Sequence, residues 1–216
     1  MFARVRDRYA AAGLTLLPRL GFNNTFAILV RGEDAKQLGL KTVSDLATTL
    51  RSSGTVPLTT SAKATAVKKA DATFTAGFGY EFLERPDGFK GLSAAYGLPF
   101  AAAPRVMDLN LIYRALAAGE IDVTAGDATS GLIEALGLVV LDDDRRYFPV
   151  YDAAPVARAS AMLQYPAAVA AIRRLAGRVS AADMRRMNFA VDGEKQDPAA
   201  VVGRFLDGIA AGNGGH

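Results

Sequence analysis

A polar corner feeding straight into an apolar run organises the first part of the chain: Gly21-Phe22-Asn23-Asn24-Thr25, then Phe26-Ala27-Ile28-Leu29-Val30-Arg31. Adjacent Asn residues after Gly favour a turn, because their short amides bond nearby backbone and tolerate left-handed angles. The continuous apolar run predicts a buried strand over 26–31. A second corner, Gly126-Asp127-Ala128-Thr129-Ser130-Gly131, follows a short strand expected at 121–124 and mirrors the first. Such corners set amides and rings at the mouth of a sheet, where a small ligand can be held.

Between and around these corners the rhythm is mostly helical. Residues 2–12, rich in Ala and Arg, predict a helix closed by Gly13, and a short apolar piece, Leu14 to Leu17, follows it. Thr42 with Asp45 three residues on marks a helix start running to about Ser52. Residues 54–76 are rich in Thr, Ala and Lys with little apolar period and predict an irregular or partly helical excursion. A strand ending at Gly77-Phe78-Gly79, a short helix at 81–85, a Pro86-Asp87-Gly88 turn and a helix at 91–96 stopped by Gly97 come next. Leu109, Ile112 and Leu116 recur at helical spacing within 108–118, which Gly119 closes. A helix at 130–136, a strand at 138–141 and the cluster Tyr147-Phe148-Pro149-Val150-Tyr151 precede a helical C-terminal third. There Pro166, the pair Ser180 and Asp183, and Asp197-Pro198 open successive helices. Strands alternate with helices, which predicts an α/β architecture with largely parallel sheets. There is no internal repeat, and 212–216 reads as a loose tail.

Composition narrows the function. The 216 residues are 50% hydrophobic and 22% charged, enough for a sizeable core in one domain or two small lobes. The chain has no Cys, which removes disulfides and thiolate metal sites, and its single His is His216 in the tail, which argues against histidine catalysis. The +3 charge comes from 25 basic and 22 acidic residues interleaved along the chain. That pattern is a solvated surface rather than a nucleic-acid stripe. No apolar run approaches the ~18 residues of a membrane span. Met1 to Tyr9 is polar and helical where a leader would be basic and then apolar, so the chain is either cytoplasmic or has had its leader removed.

Catalytic sets are poor. Asp142-Asp143-Asp144 reads as a solvated loop, since adjacent acids point apart and no glycine-bearing calcium loop surrounds them. Glu81 and Glu84 read as helix-start charges, and Gly77-Phe78-Gly79 lacks the further glycine or lysine of a phosphate loop. No cofactor and no metal are expected. Binding chemistry is better served, because Phe26, Tyr80, Arg85, Asp127 and Tyr151 all fall at strand-end corners. Ring faces attract alkylated ammonium groups, and an arginine fork matches a carboxylate. Taken singly, each aromatic also suits a core position.

Four stretches then carry a resemblance: 21–27, Tyr80 to Gly88, Gly119 to Val123, and Phe148 to Pro155, with Asp192-Gly193 and Asp197-Pro198 near the end. In this order they are similar to the substrate-binding proteins of osmoprotectant ABC importers, the glycine betaine, choline and carnitine binders. The resemblance spans nearly the whole chain. It implies an α/β, two-lobed periplasmic-binding-protein fold of the second type, a quaternary ammonium ligand in an aromatic cage, an ABC permease as partner, and a periplasmic or membrane-associated extracytoplasmic location. Carried over, it gives ligand roles to Asn24, Phe26, Arg85, Asp127 and Tyr151, with Arg85 meeting a ligand carboxylate, and Tyr80 and Thr129 at the same polar corners join them as candidate ligand-binding residues. Phe26 and Asp127 stand where the family places cage tyrosines, and Phe26 and Tyr151 are expected to face one cleft.

The resemblance also sets expectations for organisation: a complete lobe two over 31–126, and a lobe one built from 1–30 and 127–216 and lacking its first strands. An exposed, unpaired sheet would then favour a homodimer. Three readings stay open, in this order: a solute-binding component of an importer without catalysis; a remnant that acts as a self-associating or partner-binding regulatory module; and an enzyme on this fold.

Overall fold

The computed structural model describes residues 2–52, 74–100 and 102–211, so most of the excursion expected over 54–76 lies outside the described residues. The described elements run in the order α1 (Phe2–Ala11), β1 (Leu14–Leu16), β2 (Phe26–Arg31), α2 (Gly32–Leu38), α3 (Val43–Ser52), β3 (Gly77–Phe78), α4 (Tyr80–Glu84), α5 (Phe89–Tyr96), β4 (Arg105–Val106) and α6 (Leu109–Ala117). They continue with β5 (Thr124–Asp127), α7 (Gly131–Ala135), β6 (Leu138–Leu141), β7 (Val156–Arg158), α8 (Ala159–Gln164), α9 (Pro166–Arg173), α10 (Ala181–Asn188) and, after a wider turn at Phe189–Gly193, α11 (Pro198–Ala211).

Contacts divide the chain into two units. The first comprises Met1–Thr25, Thr129–Gly131 and Val150–His216; the second comprises Phe26–Ala128 and Leu132–Pro149. The boundaries expected at 31 and 126 thus differ from the contact division. Residues 132–149 go with the second unit because β6 is a strand of its sheet and Tyr147 and Phe148 pack on its core.

The second unit is built on the sheet β5-β2-β6, in which β2 pairs antiparallel with both neighbours. This corrects the expectation of largely parallel sheets; among the described strands only β3 and β4 form a parallel pair. The reason lies in the path of the chain: β2 carries it into this unit at Phe26 and β5 carries it out at Ala128, so entry and exit run in opposite directions along neighbouring strands. Alternation of side chains along β2 then supplies two cores. Ile28 and Val30 pack with Leu46, Phe78, Phe82, Leu92, Tyr96 and Ala125, while Ala27 and Leu29 pack with Ile112, Leu116, Ile121 and Ile133. Both sides of the strand are apolar, which is why it reads as a continuous run.

The strand expected at 121–124 lies instead at 124–127, so Gly126 and Asp127 are strand rather than corner. Register with β2 fixes this, since Asp127 pairs with Phe26 and Gly126 with Ala27. Gly126 is required there, because a Cβ would collide with the Tyr113 hydroxyl, which accepts a hydrogen bond of 3.1 Å from the Asp127 N–H.

In the first unit β1 and β7 form a two-stranded antiparallel ribbon, Leu14 opposite Arg158 and Leu16 opposite Val156. The Gly21 corner is a close backbone approach: its φ is 125°, and a Cβ would sit 2.9 Å from the Val179 carbonyl oxygen. Val179 in turn donates its N–H to the Leu20 carbonyl at 3.1 Å, which docks the segment before α10 on the corner.

Candidate ligand-binding site

In the second unit, antiparallel pairing of Phe26 with Asp127 projects both side chains to the same side of the sheet, about 5 Å apart at Cβ. That side is the one carrying Ile28 and Ala125 into the aromatic core. Phe26, at the rim of the core, meets Phe82 edge-on with ring centroids 5.0 Å apart and leans on Phe148 at 6.2 Å. The Asp127 carboxyl therefore stands beside rings rather than water alone. Although the residue is exposed, this crowding raises its pKa above the ordinary carboxylate value by costing it hydration, and the charge of Glu81 adds to the effect. Asp127 forms no ion pair with any described residue.

Arg85 joins the same cluster. Its guanidinium carbon lies 5.5 Å from the centre of the Phe26 ring. Its Nε and Nη2 donate to the two carboxylate oxygens of Asp87 at 2.8 and 2.9 Å, and Nη1 donates to Glu81 at 3.3 Å. The paired guanidinium holds the Asp87 carboxyl below the usual range. Tyr80, by contrast, stands 70% exposed at the start of α4.

The remaining predicted residues lie in the first unit and form a network of their own. Asn24 donates its N–H to the Tyr151 carbonyl at 3.1 Å, and Asn23 accepts the Tyr151 N–H at 2.7 Å through its side-chain oxygen. The Asn24 amide oxygen accepts the hydroxyl of the buried Thr129 at 2.5 Å, and the Thr129 carbonyl accepts from the Asn188 side chain at 2.8 Å. The two asparagines thus tie the corner to its neighbours while the Tyr151 ring remains 45% exposed.

Sequence reasoning singled out Phe26, Arg85 and Asp127, and the structure brings these three together. It did not assign Asp87, Phe82 or Phe148 to the cluster. A signal existed for part of this set: Glu81 stands four residues before Arg85 on one helix face, and Asp87 follows across a Pro turn. Within the acidic run Asp142 and Asp144 are exposed, as a solvated loop would have them, and Asp143 departs from that reading. Asp143 is half-buried and accepts the Tyr96 hydroxyl together with the N–H groups of Tyr147 at 2.9 Å and Phe148 at 2.8 Å. Burial and this bond push the Tyr96 hydroxyl pKa up. Its role is to hold the aromatic segment in place. Among the described residues no group of three His, Cys, Asp or Glu is placed to hold a metal ion.

Comparison with known proteins gives consistent matches. A family model described as the substrate-binding domain of ABC-type glycine betaine transport systems matches residues 1–208. The carnitine transport binding protein OpuCC of Listeria monocytogenes is 33% identical over 187 residues, covering 86% of this chain and 54% of its own length. The glycine-betaine-binding protein of Pseudomonas aeruginosa is 34% identical over 221 residues, covering 99% of this chain and 67% of its own. A crystal structure of a glycine betaine/carnitine/choline ABC transporter protein superposes with a TM-score of 0.80 at 31% identity, covering 95% of this chain and 68% of that one. The chain spans about half the length of the Listeria relative and two thirds of the Pseudomonas one.

Proposed function

This chain belongs to the family of substrate-binding domains of ABC-type glycine betaine transport systems, with the α/β type-two periplasmic-binding-protein fold, and on that premise we propose that it captures a small quaternary ammonium solute for an ABC importer. Permease subunits would receive the solute, the protein would act outside the cytoplasmic membrane, and it would perform no chemistry on its cargo. Among the described residues no helix is long and apolar enough to cross a membrane.

The observation that supports the reading is the cross-strand pair of Phe26 and Asp127, which sets a ring beside a carboxylate that has lost part of its hydration. An alkylated ammonium has diffuse charge and little hydration to lose, so it gains from both neighbours where a strongly hydrated amine gains less. Asp127 further favours a net cation over a zwitterion, whose own carboxylate it repels. Choline should therefore bind more tightly than glycine betaine or carnitine.

Isothermal titration of the purified chain with choline, glycine betaine, carnitine and tetramethylammonium tests this. Saturable binding with choline ahead of betaine is expected. Tighter betaine than choline binding would reject the role of Asp127, and no heat from any of the four would reject the solute-binding reading.

A further inference from the structure

The arginine that the family resemblance assigns to a ligand carboxylate is engaged elsewhere. Its guanidinium lies over the Phe26 ring, the very group proposed to meet the ligand's cation. It is fixed there by a two-oxygen clasp from Asp87 and a third bond from Glu81. The turn that carries Asp87 is itself tight, with the Gly88 N–H donating to the Arg85 carbonyl at 3.0 Å and no room for a side chain at Gly88 against the Phe82 carbonyl. The side chain is only 33% exposed. A planar, weakly hydrated guanidinium stacked on a ring and an alkylated ammonium over the same ring draw on one electrostatic attraction. One ring face cannot serve both.

Resting on the solute-binding reading above, we infer that Arg85 is an internal occupant of the Phe26 ring face, and that a cationic solute enters by displacing its guanidinium. Moving the guanidinium off the ring strains the bonds to Asp87 and Glu81 that fix it there, so displacement carries a cost the solute must meet. Arg85 thus sets a threshold. Alkylated ammonium ions, which lose little hydration on reaching the ring, cross it, whereas primary amines, which lose much, do not. Arg85 is then a determinant of selectivity by exclusion rather than a receiver of the ligand's carboxylate.

The test is titration of tetramethylammonium, a cation with no carboxylate or hydroxyl to meet Arg85, into the wild type, Arg85→Met, Phe26→Leu and the double variant, with thermal melts of each. Arg85→Met should bind the probe roughly tenfold more tightly, and Phe26→Leu should erase that gain in the double variant. Arg85→Gln, which keeps a donor for Asp87, serves the same purpose if Arg85→Met does not fold. Unchanged or weaker binding by folded Arg85 variants, with wild-type binding intact, would overturn the displacement and leave the function reading standing. No binding by any of the proteins would overturn both, since an arginine on a ring that takes no cation excludes nothing.

Discussion

Asp127 shows how far a single residue is governed by its setting. Its sequence neighbours are small and polar, yet strand pairing places it beside Phe26, and lost hydration raises its pKa. The sign of the consequence follows directly. A cationic solute favours the ionised carboxylate, so affinity should climb as pH rises through the raised pKa and level off above it. Titrations of choline across that range check this, and Asp127→Asn should both flatten the profile and weaken choline about fivefold to tenfold while sparing betaine. Phe26→Leu should cost about 1–2 kcal/mol of choline affinity if the ring meets the cation in a desolvated site. A matching loss in melting temperature with no loss of affinity would make Phe26 a core residue only. For the exposed ring of Tyr151, removal by Tyr151→Ala should leave the melting temperature unchanged, so any fall in affinity reports ligand contact.

At the scale of elements, local chemistry is closed within a few residues. At the start of α3 the Asp45 N–H donates to the Thr42 hydroxyl at 3.0 Å and the Thr42 N–H donates to Asp45 at 2.8 Å, the reciprocal box that their spacing predicts. The same exchange joins Ser180 and Asp183 at α10, where hydrogen bonds from Ser180 hold the Asp183 carboxyl below its usual pKa. Ser180→Ala should cost about 1 kcal/mol of stability. Because the folded-state pKa of Asp183 is lowered, its contribution is fully present above the ordinary carboxylate pKa and is lost as pH falls through the lowered value. Melts of Ser180→Ala and the wild type should therefore draw closer without meeting as the solution is acidified, because the Asp183 N–H bond to the Ser180 hydroxyl does not titrate, and a difference that does not shrink in acid would contradict the role of the carboxylate.

At the scale of the whole molecule, groups far apart in sequence meet. Arg31, at the end of β2, pairs with buried Asp34 at 2.5 Å and with Asp122 at 2.7 Å, and donates to the carbonyls of Leu116 and Ile121. Burial raises the pKa of Asp34 even against the pull of Arg31. Arg31→Met leaves both carboxylates without this partner and should cost about 3 kcal/mol, measured by denaturant unfolding. With the folded-state pKa of Asp34 raised further, the variant should regain stability as pH falls toward the unfolded-state carboxylate value, and Arg31→Met/Asp34→Asn should recover part of the loss at neutral pH. Caps, helix ends and the apolar run of β2 were legible in the sequence because each is settled by residues within a turn or two of one another. So were the motifs that carry family membership. The antiparallel sheet, the extension of β5 through Asp127, the structural role of Asp143 and the seat of Arg85 on Phe26 were not. Each is a pairing between distant segments, whose register and direction are decided by which apolar faces must be buried together.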